Sequence, residues 1–417
     1  MNFSNKNYLL KTHCVLCNST NIKKIFKLAN TPLANSYPRN KHIKEKHFGL
    51  TIILCKNCGH LQLKEIINPK ILFDNYVYVS GTSKVLKTHF TEYAKTIIQK
   101  FKIKKNENIL DIACNDGTFL NNFTTRGYKN VVGIEPAKNL KKYNLEKKID
   151  ININYFSFNF SKKMREKYKS FKVITANNVC AHTPNLFDFF KGIKNILSKK
   201  GVFVFEVSYL LDVIDKLQFD TIYHEHMSYH SLLPLKKFVT KLELEIIDFE
   251  RVKAQGGSIR VYVSHARSFK IKKLKIKKQI QKEINRGIFK KDTFDKFFTK
   301  IIKQKKILKR ELKKFKQKKL NVVGYGAPAK LTTFCHLLNI NKNDIEYIVD
   351  DNKLKQNFFS PGKKIPIKSF EYALKKKPDV IIVLAWNFFD SIVGKCKKYF
   401  KNKVVFIKAF PKIQKVN

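Results

Sequence analysis

The sequence predicts an α/β chain of three parts: a small N-terminal domain built round a metal, a central doubly wound Rossmann-like domain, and a smaller Rossmann-like α/β domain at the C-terminus. Three observations lead there. Two Cys-x-x-Cys pairs lie within the first 60 residues, apolar runs alternate with helical stretches from about residue 108, and the same alternation restarts near residue 320. A chain of 417 residues has length for two or three domains, each with its own core. The expected bounds are 1–72, 73–266 and 320–417, with a helical connector over 267–319.

The first part holds Cys14-x-x-Cys17 and Cys55-x-x-Cys58 in Asn- and Lys-rich sequence with short apolar runs such as Leu50-Thr51-Ile52-Ile53-Leu54. Small strands and turns are expected there. A two-residue gap lets both sulfurs of a pair reach one tetrahedral ion, and four thiolates close its coordination sphere. Zinc suits that ligand set, stabilising a core-poor domain and leaving no open position for water or substrate. The 37-residue interval between the pairs exceeds the short ribbon spacing, and redox cysteines are the competing reading. His13 and His60 flank the pairs and are expected around the ion or at the surface.

In the central part, Ile109-Leu110-Asp111-Ile112, Val131-Val132-Gly133-Ile134, Val173-Ile174-Thr175-Ala176 and Val202-Phe203-Val204-Phe205-Glu206 are strand candidates. Their spacing argues for a mainly parallel sheet. After the first comes the tight loop Ala113-Cys114-Asn115-Asp116-Gly117, which brings backbone close to a ligand. Glu135 ends the next strand about 20 residues on, where a carboxylate can bind two ribose hydroxyls. Only Gly117 remains of a G-x-G-x-x-G pattern, so S-adenosyl-L-methionine, which has no pyrophosphate, fits better than a dinucleotide. Asp111, Asn115, Asp116, Gly117, Glu135 and Asn178 are the candidate cofactor residues, against the plainer reading of an ordinary strand-to-helix turn. Cys114 reads as a small loop residue rather than a nucleophile.

The run Asp220-Thr221-Ile222-Tyr223-His224-Glu225-His226-Met227-Ser228-Tyr229-His230 concentrates titratable groups soon after a strand. Loops beyond the carboxyl ends of parallel strands are where α/β domains bind ligands. Imidazole titrates near neutrality and can take a proton from carbon beside a carbonyl, while tyrosine or a second histidine holds the enolate oxygen. His182 ends another strand and is a candidate for the same cleft. Structural histidines are the competing reading.

Residues 267–319 contain no proline and one glycine, Gly287, and read as long amphipathic helices. Strands then recur at Leu320-Asn321-Val322-Val323, Glu346-Tyr347-Ile348-Val349 and Val380-Ile381-Ile382-Val383-Leu384.

Composition excludes little by itself. Lysine plus arginine number 84 against 32 acidic residues, a net charge of +52 that at face value asks for nucleic acid or an anionic surface. Yet the chain has only 15 glycines and 11 prolines against 35 phenylalanines, with Lys, Asn and Ile abundant throughout. That is the pattern of a genome-wide bias, so the charge says little about partners. Phe294, Phe297 and Phe298 fall at i, i+3, i+4 in the basic stretch, which suits a buried helix face better than a base-stacking platform. No run of about 18 apolar residues exists, so membrane insertion is not expected. Residues 1–11 contain no apolar signal segment, which makes a reducing cytoplasm the expected location.

In this order the motifs resemble the sugar C-methyltransferase family, that of the dTDP-4-keto-deoxyhexose 3-C-methyltransferases of deoxysugar biosynthesis. The resemblance spans nearly the whole chain. It rests on the two cysteine pairs, Tyr76-Val77-Tyr78-Val79-Ser80-Gly81-Thr82-Ser83, Cys114-Asn115-Asp116-Gly117-Thr118 and Tyr223-His224-Glu225-His226-Met227-Ser228-Tyr229. It extends to Gly256-Gly257-Ser258-Ile259-Arg260-Val261-Tyr262 and Gly324-Tyr325-Gly326-Ala327-Pro328-Ala329-Lys330. The chain departs from the pattern at Ala113-Cys114, and at Leu331, Thr332-Thr333 and His336.

The resemblance implies a zinc-binding domain, a methyltransferase domain using S-adenosyl-L-methionine, and a C-terminal domain that helps hold a nucleotide sugar. It implies His226 as the base that removes the proton from carbon 3 of a 4-keto sugar, assisted by Tyr223, Glu225, His182 and Tyr76. Tyr78, Gly324, Gly326, Lys330 and Asp350 are the expected substrate-binding residues, with backbone amides and a cation facing the diphosphate. A nucleotide sugar is the expected partner, and no nucleic acid. The competing functions are an RNA methyltransferase with a zinc ribbon and a non-catalytic zinc-stabilised binding module.

Overall fold

A computed structural model of the chain describes residues 3, 6–145, 147, 149–400 and 404–417. They form two compact units that interleave along the sequence. The first comprises Met1–Lys23, Ile53–Leu211 and Met227–Phe289; the second comprises Lys24–Ile52, Asp212–His226 and Lys290–Asn417.

The first unit is organised by a seven-stranded sheet. Its spatial order is Leu244–Val252, Ser258–His265, Leu197–Ser208, Phe171–Asn177, Ile109–Ile112, Val131–Ile134, Asp150–Asn152. The last five run parallel, Ser258–His265 is reversed, and Leu244–Val252, antiparallel to it, again runs with the five. Ile109–Ile112 and Val131–Ile134 are buried at every position, as strands covered on both faces must be. The chain runs outward from Ile109–Ile112 in one direction and then returns to fill the other side. The carboxyl end of that central strand is therefore the topological switch point, where open α/β sheets bind ligands.

Helix Lys84–Phe101 covers one face. Ser83 caps it through Leu86 N (3.3 Å), Lys102 ends it in the left-handed region (φ 50°), and Phe90, Tyr93, Ala94 and Ile97 turn at i, i+3, i+4, i+7 onto the sheet core. Full burial of a side chain such as Phe90 or Ile97 contributes about 1.5–3 kcal/mol, and that of Ala94 less. Helix Lys273–Asn285 is fastened to the same unit by a buried carboxylate. Glu283 accepts hydrogen bonds from Leu232 N (2.7 Å), Leu233 N (3.1 Å) and the Tyr209 hydroxyl (2.7 Å), capping helix Leu232–Thr240.

The second unit has a six-stranded sheet in the order Ile367–Lys368, Ile348–Val349, Val322–Tyr325, Val380–Val383, Val405–Lys408, Gln414–Val416, all parallel but the last. Its switch point is the end of Val322–Tyr325. Helix Lys291–Gln317 buries Phe294, Phe297, Ile301, Leu308, Leu312 and Phe315, and Phe298 stacks on Phe26 at 5.5 Å. The phenylalanines of the basic stretch are thus core, and Lys296, Lys300, Lys303 and Lys306 lie on the exposed side. The helical stretch expected as one connector is two helices, one in each unit. Among the described residues no helix is long and apolar enough to cross a membrane.

Candidate active-site groups

The four cysteines of the N-terminal motif converge in the first unit. Both pairs use the same turn, in which the first cysteine's carbonyl accepts from the residue four places on, Asn18 N (3.0 Å) and Gly59 N (2.9 Å). That residue must be left-handed, and Asn18 (φ 59°) and Gly59 (φ 85°) tolerate it. Cys14 Sγ lies 3.6 Å from Cys58 Sγ and Cys17 Sγ 3.5 Å from Cys55 Sγ, and all four sulfurs fall within 4.8 Å of one another. A tetrahedral ion with bonds of about 2.3 Å needs sulfurs about 3.8 Å apart, so the cluster matches an S4 site. With Cys14 and Cys58 sharing one proton, the contact lowers Cys14 and raises Cys58. His60 is fully buried, 3.2 Å from Ser228 Oγ, and is no surface residue.

The loop after Ile109–Ile112 has three left-handed residues, Ala113 (φ 54°), Asn115 (φ 56°) and Gly117 (φ 71°). At Gly117 a Cβ would stand 2.5 Å from Asn144 Oδ1, so glycine is required on space as well as conformation. Glu135 reaches back across the loop, accepting from Asn115 N (2.7 Å) and Ala137 N (2.9 Å). Thr175 Oγ1 donates to Asp111 Oδ1 (2.6 Å). Burial pushes both carboxyls up, each to about 7, and each raises neighbouring acids. Asp111, Glu135 and Asp116 form an acidic cluster whose one paired cation is Lys147, 3.9 Å from Asp116, among the described residues. Such a cluster repels a pyrophosphate and attracts a sulfonium and an ammonium, which fits S-adenosyl-L-methionine. Cys114 is buried, its Sγ 2.6 Å from a Cβ placed on Gly133, and burial pushes its thiol up, which suits packing and not nucleophilic chemistry.

Asn115 and Asp116 use their side chains on the chain itself. Asn115 accepts from Ser80 N (2.9 Å) and donates to Tyr78 O (3.0 Å), and Asp116 accepts from Gly81 N (2.9 Å). Residues 78–81 are thereby strapped to the cofactor loop, and a Cβ on Gly81 would lie 2.4 Å from Asp116 Oδ2. Tyr78 and Tyr76 continue into an aromatic group in which Tyr76 meets Phe73 at 5.8 Å and Phe73 stacks on His182 at 5.7 Å. Burial lowers His182 to about 4, so it is neutral at physiological pH. Asn178, left-handed (φ 57°), donates its N–H to Glu206 O (2.7 Å).

In the second unit the histidine-rich run closes into a turn. His226 Nδ1 is 2.8 Å from Thr221 O and 3.0 Å from Thr221 Oγ1, and Nε2 is 2.9 Å from the Tyr223 hydroxyl. The turn is held by Trp386 Nε1 on Asp220 Oδ2 (2.6 Å), Thr333 Oγ1 on Ile222 O (2.6 Å) and Asn35 Nδ2 on Glu225 Oε1 (2.6 Å). His224 lies 3.1 Å from Gly49 O and edge-on to Phe48, and burial lowers it to about 4. His230, in the first unit, is fully buried and likewise lowered to about 4. Of the three histidines, His226 alone keeps partial exposure.

Gly326 ends the second unit's central strand (φ 92°), and a Cβ there would meet Ala385 Cβ at 2.5 Å. Gly324 lies within the strand, where a Cβ would strike Leu384 Cδ1 at 2.5 Å. The Ala327 peptide is gripped by Asp350 (2.6 Å from N) and by Tyr37 and Lys355 (2.6 and 2.8 Å from O). Asp350 also accepts from Asn352 N (2.8 Å), so its two oxygens brace the loop. Lys330 Nζ is buried without a hydrogen-bond partner, and burial lowers its ammonium while Asp220 raises it. Sequence reasoning did not find Phe73, Asn35, Thr221, Thr333 or Trp386. Thr221 lies within the histidine-rich run and meets His226 five residues on, while the other four act through contacts distant in sequence.

Three family profiles match the chain in order: "Putative zinc binding domain" over residues 14–73, "Methyltransferase domain" over 86–248, and "C-methyltransferase C-terminal domain" over 253–411. C-methyltransferase NovU of Streptomyces niveus is 25% identical over 400 residues, covering 95% of each chain. Among solved structures, an S-adenosylmethionine-dependent methyltransferase from Clostridium acetobutylicum ATCC 824 is 14% identical. It covers 43% of this chain and 92% of its own, with a TM-score of 0.34. PH0226 protein from Pyrococcus horikoshii OT3, also 14% identical, covers 47% and 98%, with a TM-score of 0.36.

Proposed function

From the chain's membership of the C-methyltransferase family, which acts with S-adenosylmethionine, we propose that it methylates the carbon beside the ketone of a nucleotide-linked keto-deoxysugar. The observation that carries this reading is the setting of His226. A carbonyl only accepts, so the 2.8 Å contact with Thr221 O puts a proton on Nδ1, and the neutral ring then carries its lone pair on Nε2. The Tyr223 hydroxyl then donates to Nε2. Such a pair can exchange roles with a keto sugar. Nε2 takes the proton from carbon 3, and the phenol turns its O–H to the ketone oxygen as the electron pair moves there, forming the enolate. Glu225, on the same turn and held by Asn35, assists.

The cofactor supplies an activated methyl on sulfur, so the enolate carbon needs no further activation. Glu135 would accept its ribose hydroxyls through the lone pairs left beside Asn115 N and Ala137 N, and Asp111, the loop from Asn115 to Gly117 and Asn178 would hold the remainder. Gly326, Lys330, Asp350 and Tyr78 serve the nucleotide sugar, and the four cysteines hold a structural zinc.

The burial of Glu135 and Asp111 gives this reading a pH signature. Both folded carboxyls sit above their ordinary values, so the folded chain holds extra protons between about pH 4.5 and 7. The protein without cofactor accordingly loses stability from this source as pH rises through that window. Accepting hydroxyls requires the ionised form, so affinity for S-adenosylmethionine is expected to fall below pH 7, by up to about tenfold per unit. Calorimetric titration at pH 8.0 and 5.5 checks it, and equal dissociation constants would remove Glu135 and Asp111 from the contact.

The function itself is tested by incubating the protein in deuterated water with a panel of nucleotide 4-keto sugars, with and without S-adenosylmethionine. Expected are deuterium at carbon 3 without cofactor and a methyl group there with it. A panel returning neither product for any sugar rejects the reading.

A further inference from the structure

The turn that carries His226 is closed on itself by backbone bonds, Ile222 N to Phe219 O (3.0 Å) and His226 N to Tyr223 O (2.9 Å). Those bonds fix its curl and not its place. The residue between the two partners of the imidazole is Ile222: the peptide before it offers the Thr221 carbonyl to Nδ1, and the peptide after it leads into Tyr223, whose hydroxyl meets Nε2. The carbonyl of Ile222 accepts from Thr333 Oγ1 at 2.6 Å, and both residues are buried, 3% and 1% exposed. Thr333 belongs to helix Leu331–Leu338, which follows the Gly326–Lys330 loop, and it is buried there. Thr332 beside it is spent on Ala34 O, at 3.4 Å. At the near end of the turn a second anchor of the same kind is Trp386 on Asp220.

We infer that Thr333 is a positioning residue for His226: its hydroxyl holds the Ile222 carbonyl so that Thr221 O and the Tyr223 hydroxyl face opposite nitrogens of one ring. The inference rests on the proposed role of His226 for its catalytic consequence and on geometry alone for its tautomeric one. Without the hydroxyl, a buried carbonyl lacks its partner and the peptide on either side is free to rotate. Rotation of the first releases Nδ1–H, and rotation of the second withdraws the phenol. A threonine that merely filled space would be replaceable by valine of the same shape.

The test compares the full-length protein with Thr333→Val and Thr333→Ser. Long-range 15N–1H spectra, with His226 assigned by its loss in His226→Gln, read the ring tautomer with no substrate present. The wild type and Thr333→Ser are expected to show a protonated Nδ1 and a bare Nε2, and Thr333→Val a mixture or a broadened signal. Turnover of the keto sugar found above should fall about ten- to a hundredfold in Thr333→Val, with the KM for S-adenosylmethionine within about twofold, and should recover in Thr333→Ser. A Thr333→Val protein with the wild-type tautomer and turnover overturns the inference. So does a serine variant as impaired as the valine one. If Thr333→Val does not fold, Thr333→Ala read by the same spectra decides, an unchanged tautomer again overturning the inference. A wild type that shows the single tautomer but exchanges no keto-sugar proton fails the functional reading and leaves the positioning role standing.

Discussion

Replacing His226 with asparagine is expected to lower methyl transfer by about 10²–10⁴-fold, the range a positioned general base supplies, while leaving affinity for S-adenosylmethionine within about twofold. Asparagine keeps a polar group near the Thr221 carbonyl, so the turn from Phe219 to His226 retains most of its anchors, Trp386, Thr333 and Asn35 among them. What it lacks is a lone pair where Nε2 meets the Tyr223 hydroxyl. Loss should therefore appear in the proton step first: deuterium uptake at carbon 3 disappears along with methylation. His224→Asn is the informative control. Its ring is buried, neutral and committed to Gly49 O, so its replacement should cost stability and leave exchange per folded molecule nearly unchanged. Asparagine at position 226 with turnover within threefold of wild type would sink the base assignment.

The α/β class and the central parallel strands were legible because strands buried on both faces need unbroken apolar runs, and Ile109–Ile112, Val131–Ile134 and Val380–Val383 are such runs. The edge strand Leu244–Val252 and its inner neighbour Ser258–His265 were not read as strands. They are paired antiparallel and carry Glu250, Arg251 and Arg260, whose guanidinium is satisfied across the sheet by Glu206 at 3.0 Å, a partner 54 residues away. The interleaving of two compact units was illegible for the same reason: nothing local marks residues 24–52 as partners of residues 290–417. At the site, residue type singled out the loop and the histidine run. It did not reveal that Asn115 and Asp116 face the 78–81 segment, that Asp350 braces Ala327, or that Lys330 lies buried beside Asp220. Those are properties of contacts between distant segments, and a motif carries no record of them.

The other large effect is expected at the cysteines. Between Tyr8 and Ile67 the strands Ile22–Thr31 and Phe48–Cys55 are joined by three-residue ones, and the two Cys-x-x-Cys turns cross-link this stretch between cysteines 38 and 44 residues apart in sequence. A structural zinc held by four thiolates contributes on the order of 10 kcal/mol of binding free energy that is also folding free energy, comparable to a typical domain's whole stability. Purified protein is expected to hold one zinc per chain. Cys14→Ser and Cys58→Ser should each lose it, since a serine hydroxyl replaces a thiolate in a site whose sulfurs already stand at tetrahedral spacing. In either variant, protease sites between residues 14 and 60 should become accessible. The parallel sheet has its own core, built from Ile109, Val173, Val202, Val204 and their neighbours, so it should keep its circular dichroism and its affinity for cofactor. Separating these two outcomes makes the test specific. Loss of the sheet together with the metal would show that zinc supports the whole unit. A folded, protease-resistant wild type with less than about half an equivalent of zinc or iron would reject the metal, and the cysteines would have to be read as a redox pair of pairs.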